Sequence, residues 1–83
     1  MESPSLALYH YEGCPYCTLV RDAMARLGLD IELRDILRNA EHRDELSTAT
    51  GRSTVPCLRI EAVSAEVRWM RESRDIIGYL ERL

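Results

Sequence analysis

The sequence has 83 residues, with 14 acidic residues against 11 basic ones, all of which are arginine, and its formal net charge is −3. A chain of this length closes one modest core, so we expect a single domain over residues 1–83. The weak negative charge argues against nucleic-acid or anionic-membrane partners, and no apolar stretch is long enough to cross a bilayer.

The cysteine count and the N-terminus indicate the compartment. Residues 1–5 lack the basic and apolar segments of a signal peptide. Three cysteines are an odd number, and two of them lie close together, which argues against a secreted disulfide framework. We therefore expect a cytoplasmic protein whose cysteines serve redox chemistry or metal binding. We also expect the protein to be a monomer.

Four short segments are apolar, aromatic or alternate between apolar and charged residues, which predicts β-strands. In chain order they cover residues 6–11, 31–36, 55–60 and 66–70. The last two are joined by a loop over residues 61–65, which predicts an antiparallel hairpin.

Three segments with helical spacing of apolar residues complete the chain. The first begins at Pro15, where the missing N–H costs nothing, and ends at Gly28 as a left-handed cap. The second covers residues 37–49 with Asn39 as its N-cap, and the third begins with Ser73 as its N-cap.

The predicted order is β-α-β-α-β-β-α, which determines the expected architecture. A strand, a crossover helix and a second strand form a right-handed parallel unit. Adding the hairpin gives an α/β fold with a four-stranded mixed sheet and helices on both faces.

The pair Cys14 and Cys17, in a Cys-Pro-Tyr-Cys segment, lies at the first strand-to-helix junction. Unpaired N–H groups and the positive end of the helix dipole stabilise a thiolate at Cys14. Cys17 lies one turn deeper, in a more covered position, and can close a disulfide with Cys14. We therefore predict that Cys14 attacks and Cys17 resolves. Arg21, one turn further on, adds positive potential near the sulfurs.

Two other interpretations of this cysteine pair compete with redox chemistry. A Cys-x-x-Cys pair can be half of a zinc site, with Cys57, His10 and His42 as further candidate ligands. The sequence has no second such pair and no His-x₃-His motif, so we expect no metal. A pair of buried, inert thiols is the other alternative, and an N-cap that follows Gly13 is poorly placed for burial.

Together with Thr54-Val55-Pro56, the Cys-Pro-Tyr-Cys motif resembles the glutaredoxins of the thioredoxin superfamily. The resemblance implies a thioredoxin-like fold, a cis Val55–Pro56 bond facing the Cys14 sulfur, and pairing of the Val55 backbone with the cysteine of glutathione, like an added strand. It also implies that Tyr16 lines the glutathione groove and that Thr54 and Pro56 bind glutathione together with Val55.

The segment that contains Glu72-Ser73 and the Ile-rich helix after it is similar to the N-terminal domain of glutathione transferases. That resemblance implies that Glu72 and Ser73 bind the γ-glutamyl end of glutathione. A serine at a helix N-terminus offers a hydroxyl and N–H groups to a carboxylate, and Glu72 suits the ammonium group. The alternative is a capping serine beside a solvated glutamate.

Two further positions relate to the glycyl end of glutathione. Arg43 matches a position where glutaredoxins place Gln or Arg against the glycine carboxylate, and the alternative is a solvated charge. Tyr11 stands where the family has a basic residue, so the glycyl end is held mainly by Arg43, or weakly. Of the remaining residues, Cys57 and His10 are expected to be buried rather than catalytic.

The resemblance implies a glutathione-dependent thiol–disulfide oxidoreductase. Its partners would be glutathione, as co-substrate, and proteins that are disulfide-bonded or glutathionylated, with no tightly bound cofactor. One alternative is a glutaredoxin that holds an iron–sulfur cluster between two subunits, which the Pro15-Tyr16 pair disfavours. A glutathione transferase is the other alternative, and it needs a second helical domain for which 83 residues leave no room.

Overall fold

The computed structural model describes residues 3–83. Within this range the strands are β1 (Ser5–His10), β2 (Glu32–Asp35), β3 (Cys57–Glu61) and β4 (Val67–Met70). The helices are α1 (Pro15–Leu27), α2 (Ala40–Thr50) and α3 (Ser73–Glu81). The predicted order of elements is confirmed. No helix in the described range is long and apolar enough to cross a membrane.

The four strands form one sheet in the order β2-β1-β3-β4. β1 pairs in parallel with β2 and antiparallel with β3, and β4 pairs antiparallel with β3. The predicted mixed sheet and terminal hairpin are therefore confirmed. β1 and β3 are the two central strands, and the chain leaves β1 directly into the segment that carries the cysteine pair.

Alternation along β1 places two hydrophobic clusters on opposite faces of the sheet. Leu8 belongs to the cluster that α1 and α3 cover, whereas Tyr9 belongs to the cluster that α2 covers. The first cluster contains Leu8, Val20, Met24, Ile31, Leu58, Ile60, Ile76 and Leu80. The second contains Tyr9, Ile36, Leu46 and Cys57. Helices therefore lie on both faces, as predicted.

The predicted start of α2 is wrong by three residues, because the helix begins at Ala40 and not at Leu37. The carboxylate of Asp35 accepts hydrogen bonds from the N–H groups of Leu37 and Arg38, at 2.9 and 3.0 Å, and holds them in a turn. Local bonds of this kind compete with helix formation. Asn39 is the N-cap, as predicted, and its side chain accepts from the N–H of Glu41 at 2.9 Å.

The predicted cap of α3 is also wrong by one residue. Glu72 is the N-cap, with an extended backbone and no side-chain cap hydrogen bond, and Ser73 is the first helical residue. The helix begins there because the N–H of Ile76 donates to the carbonyl of Glu72 at 2.9 Å. β3 likewise begins at Cys57 rather than at Val55, since Pro56 has no N–H to donate to a sheet.

Truncation of a buried side chain on the central strand β3 tests the packing of the first cluster. Leu58 on β3 is fully buried, so Leu58→Ala should lower the free energy of unfolding by about 2–5 kcal/mol. Leu37 is 71% exposed, and Leu37→Ala should change it by no more than about 0.5 kcal/mol. Urea unfolding measures both, and equal losses in the two variants would contradict this packing.

Candidate functional site

The Cys14 side chain caps α1 and is the origin of the candidate site. Cys14 is the N-cap residue, Pro15 is the first helical residue, and the first turn carries no acidic residue. The sulfur of Cys14 accepts a hydrogen bond from the N–H of Cys17 at 3.3 Å. On its other side it lies 3.9 Å from the carbonyl oxygen of Val55. A thiolate at this position therefore keeps an N–H donor and the positive end of the helix dipole.

Burial separates the two cysteines of the motif less than expected. Cys14 is 5% exposed and Cys17 is fully buried, so the expectation that an N-cap is poorly placed for burial is wrong for Cys14. The carbonyl oxygen of Val55 lies 3.9 Å from the Cys14 sulfur. Burial, followed by the hydrogen bond with Cys14, raises the pKa of Cys17 to about 12. Cys17 is therefore a neutral thiol at physiological pH.

The third cysteine lies behind the site on β3. Cys57 is fully buried in the second cluster, opposite Tyr9 on the neighbouring strand, as expected. Burial raises the pKa of the Cys57 thiol to about 11, and the charge of Arg71 opposes that rise. Cys57 is therefore a protonated core residue at physiological pH.

The Arg21 side chain links the loop before Cys14 to helix α1 through hydrogen bonds. Its guanidinium donates to Nδ1 of His10 at 2.9 Å and to the hydroxyl of Thr18 at 3.0 Å. It also donates to the carbonyl oxygens of Tyr11 at 3.4 Å and Glu12 at 3.3 Å. Because a guanidinium has no acceptor, Nδ1 of His10 carries a lone pair. Burial and the neighbouring Arg21 charge lower the pKa of His10, so this buried imidazole is neutral.

A cleft of about 230 Å³ is lined by Val55, whose carbonyl oxygen lies 3.9 Å from the Cys14 sulfur, although Cys14 itself does not line it. The Val55–Pro56 peptide bond in its wall is cis, as the resemblance implied. Its lining residues come from α1, from the segment before β3 and from the start of α3, and they are Tyr16, Val55, Pro56, Arg71, Glu72 and Ser73. The fold thus brings together five of the seven residues predicted to bind glutathione.

The other two predicted binding residues lie outside this cleft. Arg43 and Thr54 are exposed, on α2 and in the loop before Val55, and neither lines the cleft. Sequence reasoning missed Arg71, which does. No sequence signal places it there, because its position follows from the register of the hairpin. Met70 pairs with Leu58, so Arg71, which follows Met70, lies beside Cys57, which precedes Leu58.

A larger depression of about 730 Å³ lies on the α2 face of the sheet. Tyr9 and Trp69 lie in its floor, and Arg34 donates to the Tyr9 hydroxyl at 2.7 Å. It contains none of the three cysteines. Within residues 3–83 no group of three or more His, Cys, Asp or Glu side chains is placed to hold a metal ion.

Comparison with known proteins identifies the family to which this chain belongs. A family model described as the N-terminal domain of glutathione S-transferase matches residues 8–83. Glutaredoxin 3 of Escherichia coli K12 is 33% identical over 58 residues, a match that covers 70% of each protein. The chain belongs to the glutaredoxin and glutathione S-transferase group of the thioredoxin superfamily. Both halves of the resemblance drawn from the two sequence motifs are thereby confirmed.

Two further members of this group match nearly the whole chain. Glutaredoxin 2 of Escherichia coli K12 is 32% identical over 81 residues, which are 94% of this chain and 34% of that protein. The crystal structure of glutaredoxin 2 from Salmonella typhimurium in complex with glutathione is 25% identical, with a TM-score of 0.72, and the match covers 95% of this chain and 34% of that one. This chain thus spans about a third of their length.

Alkylation tests the difference between the three thiols. The thiolate is the form that reacts with iodoacetamide, and the raised pKa values of Cys17 and Cys57 keep both protonated at about pH 8. Brief treatment at that pH should therefore label Cys14 alone, as read by peptide mass spectrometry. All three should react after unfolding in urea. Labelling of Cys17 or Cys57 ahead of Cys14 in the folded protein would contradict the assignment.

Removal of the Arg21 guanidinium tests its structural contribution. Arg21→Gln leaves the buried imidazole of His10 and the carbonyl of Glu12 without this donor, whereas the Tyr11 carbonyl keeps the N–H of Cys14, and it should lower the free energy of unfolding by about 1–3 kcal/mol. The matched control is Arg26→Gln on the same helix, whose pair with Glu81 is exposed on both sides and should contribute no more than about 1 kcal/mol. Urea unfolding compares them, and an Arg21 variant as stable as the control would show that the contacts contribute little.

Proposed function

We propose that the protein is a glutathione-dependent thiol–disulfide oxidoreductase that reduces protein–glutathione mixed disulfides and protein disulfides. One observation carries the proposal: the Cys14 sulfur, at the N-terminus of α1, lies 3.9 Å from the carbonyl of Val55, which itself lines the cleft. A nucleophilic sulfur therefore lies next to a residue of a groove that also carries a cation, an anion and a helix N-terminus, groups that suit a zwitterionic peptide thiol. The glutathione complex of the related Salmonella protein supports glutathione as that ligand.

Glutathione would lie along the cleft with its sulfur toward Cys14. The N–H and C=O of Val55 would pair with the backbone of its cysteine, as in strand addition. The γ-glutamyl group would extend to the start of α3, where the Ser73 hydroxyl and N–H suit its carboxylate and Glu72 suits its ammonium group. Tyr16, which is 62% exposed, forms the outer wall beside Pro56. Arg43 remains the candidate for the glycyl end, and Thr54 remains a predicted binding residue.

The first reaction is deglutathionylation of a protein. The Cys14 thiolate attacks the glutathione sulfur of the mixed disulfide, a Cys14–glutathione disulfide forms, and the protein thiolate leaves and takes up a proton. A second glutathione thiolate then attacks the glutathione sulfur of that disulfide. The products are oxidised glutathione and the regenerated Cys14 thiolate. The net reaction converts the mixed disulfide and one glutathione thiol into a protein thiol and oxidised glutathione, so one free glutathione thiol supplies the reduction of the protein sulfur.

The second reaction needs both cysteines. The Cys14 thiolate attacks a protein disulfide, forms a mixed disulfide with one protein sulfur and releases the other as a thiolate. Cys17 then attacks the Cys14 sulfur, forms the Cys14–Cys17 bond and releases the second protein sulfur, which leaves as a thiol with the proton that Cys17 loses. Two glutathione molecules then reduce that bond and are released as oxidised glutathione. Because Cys17 is a buried thiol with a raised pKa, it must give up its proton as it attacks. This keeps it inactive until the mixed disulfide at Cys14 has formed.

Two cysteine variants test these roles. Cys14→Ser should abolish turnover of both substrate types, because it removes the nucleophile. Cys17→Ser should retain glutathione-coupled deglutathionylation to within about tenfold of the wild-type rate and lose reduction of protein disulfides. The assay couples oxidised glutathione formation to its reductase. Activity of the Cys14 variant on a glutathionylated peptide would refute the proposal.

A glutathione transferase is the second candidate, because the matching family model is a transferase domain. Conjugation of glutathione to a chromogenic electrophile separates the two candidates. A transferase activates the thiol of glutathione itself and should retain its rate in the Cys14→Ser variant. The proposed oxidoreductase should show no conjugation that survives this substitution.

A further inference from the structure

We propose that the depression on the α2 face is a docking site for a basic segment of the protein substrate, with Trp69 in its floor and the carboxylates of Glu41 and Asp44 on its α2 wall. The inference rests on the proposed function, because it names the chemical class of protein that would be reduced. Its basis is the shape of the depression, its aromatic floor and its charge.

The depression exists because α2 covers only part of its face of the sheet. Leu46 is the buried residue of α2, and the helix packs toward the edge strand β2. Helices α1 and α3 pack on the opposite face. Arg59 and Trp69, which pair across β3 and β4, therefore border an open volume of about 730 Å³. This volume is within the range of pockets that bind ligands.

The floor of the depression is aromatic. Tyr9 is fully buried, and its ring centre lies 5.4 Å from that of the half-buried Trp69. The guanidinium of Arg59 lies 5.8 Å from the Trp69 ring centre and donates to the Glu61 carboxylate at 2.9 Å. One guanidinium of this chain is thus already bound between an indole and a carboxylate. A cation of a partner is attracted by the same two groups.

The charge of the lining favours a basic partner. Four carboxylates line the depression, against two guanidiniums. Each guanidinium already has a carboxylate partner, in the pairs Arg34–Glu32, Arg34–Glu45 and Arg59–Glu61. Within residues 3–83, Glu41 and Asp44 make no ion pair. The two charges in excess are therefore available to lysine or arginine side chains.

The free carboxylates lie in a row along the wall of the depression. Glu41 and Asp44 are three residues apart on α2, so they share one face of the helix, and Thr48 continues that face one turn further on. The row from Glu41 to Thr48 is about 10 Å long. Two basic side chains of one extended segment, about 7 Å apart when they alternate with another residue, fit along it.

The depression adjoins the cluster that supports the catalytic sulfur. Val55, whose carbonyl oxygen lies 3.9 Å from the Cys14 sulfur, packs against the second cluster, and so does Trp69. A protein whose disulfide reaches Cys14 would extend from Val55 over this face. Basic residues near its disulfide would then lie between Trp69 and α2.

The fluorescence of Trp69 tests the docking site directly. Trp69 is the only tryptophan in the sequence, so its emission reports on the floor of the depression. The probe is a cysteine-free peptide of about eight residues, about 26 Å long when extended, in which arginine alternates with glycine. A peptide in which glutamate alternates with glycine is its counterpart. Both are titrated into the reduced protein.

Two double variants are compared with the wild type. Glu41→Gln with Asp44→Asn removes the free charges of the depression. Asp22→Asn with Glu66→Gln is the matched control, because it makes the same change in net charge at two exposed acids that do not line the depression. Urea unfolding establishes that each variant is folded.

The arginine peptide should change the Trp69 emission of the wild type to saturation, and the glutamate peptide should not change it. Kd should rise about tenfold in the Glu41 and Asp44 variant and stay within about twofold in the control. Raising the salt concentration from about 0.05 to about 0.5 M should weaken binding, because these charges are exposed. KM for a disulfide peptide with flanking arginines should rise with Kd, and kcat should stay within about twofold.

No change in Trp69 emission with the arginine peptide would overturn the inference. An equal rise of Kd in both double variants would also overturn it, because the peptide would then respond to net charge and not to the depression. An unchanged KM in the Glu41 and Asp44 variant would overturn the link to substrates. None of these results affects turnover of a glutathionylated peptide without basic residues, so the proposed function would stand. A wild type inactive on that peptide would instead refute the proposed function, and with it the assignment of the docked segment to a substrate.

Discussion

The hydrogen bond from the Cys17 N–H to the Cys14 sulfur is the interaction on which the site depends. It exists because Cys14 ends an extended segment and Pro15 begins a helix, so the N–H of Cys17, one of the unpaired donors of the first turn, points at the sulfur. The central position of β1 then brings the segment before β3 against the other side of that sulfur. One sulfur is thereby held between a helix start and a backbone carbonyl that lines a cleft.

Local signals in the sequence predicted much of this arrangement. Cys14, Gly28 and Asn39 are caps whose residue types determine the backbone around them, and all three lie where they were predicted. The errors occur where side-chain chemistry competed with the backbone pattern. Asp35 captures two N–H groups that the apolar pattern had assigned to α2. At α3 the residue type of Ser73 predicted an N-cap, yet Glu72 is the N-cap and Ser73 is the first helical residue.

What the sequence could not provide are contacts set by strand register and by long side chains. The four hydrogen bonds of Arg21 join residues on both sides of the cysteine motif, and no regular spacing in the sequence predicts them. Arg71 enters the cleft because of its position in the hairpin, and the motif that contains Glu72 and Ser73 does not include it. The positions of the charged side chains around the site therefore depend on the fold, whereas the identity of the nucleophile can be predicted from the Cys-Pro-Tyr-Cys motif. The absence of lysine leaves every such contact to arginine, whose planar fork suits carbonyls and carboxylates.

The central claim is that Cys14 joins to glutathione, whose γ-glutamyl end lies at the start of α3. The most direct test forms the Cys14–glutathione disulfide on the Cys17→Ser variant with oxidised glutathione and records amide chemical-shift changes by NMR. The largest changes should fall on Val55, Glu72 and Ser73, around the cleft. Changes confined to the depression beside Trp69, or failure of Cys14 to form the disulfide, would contradict the account.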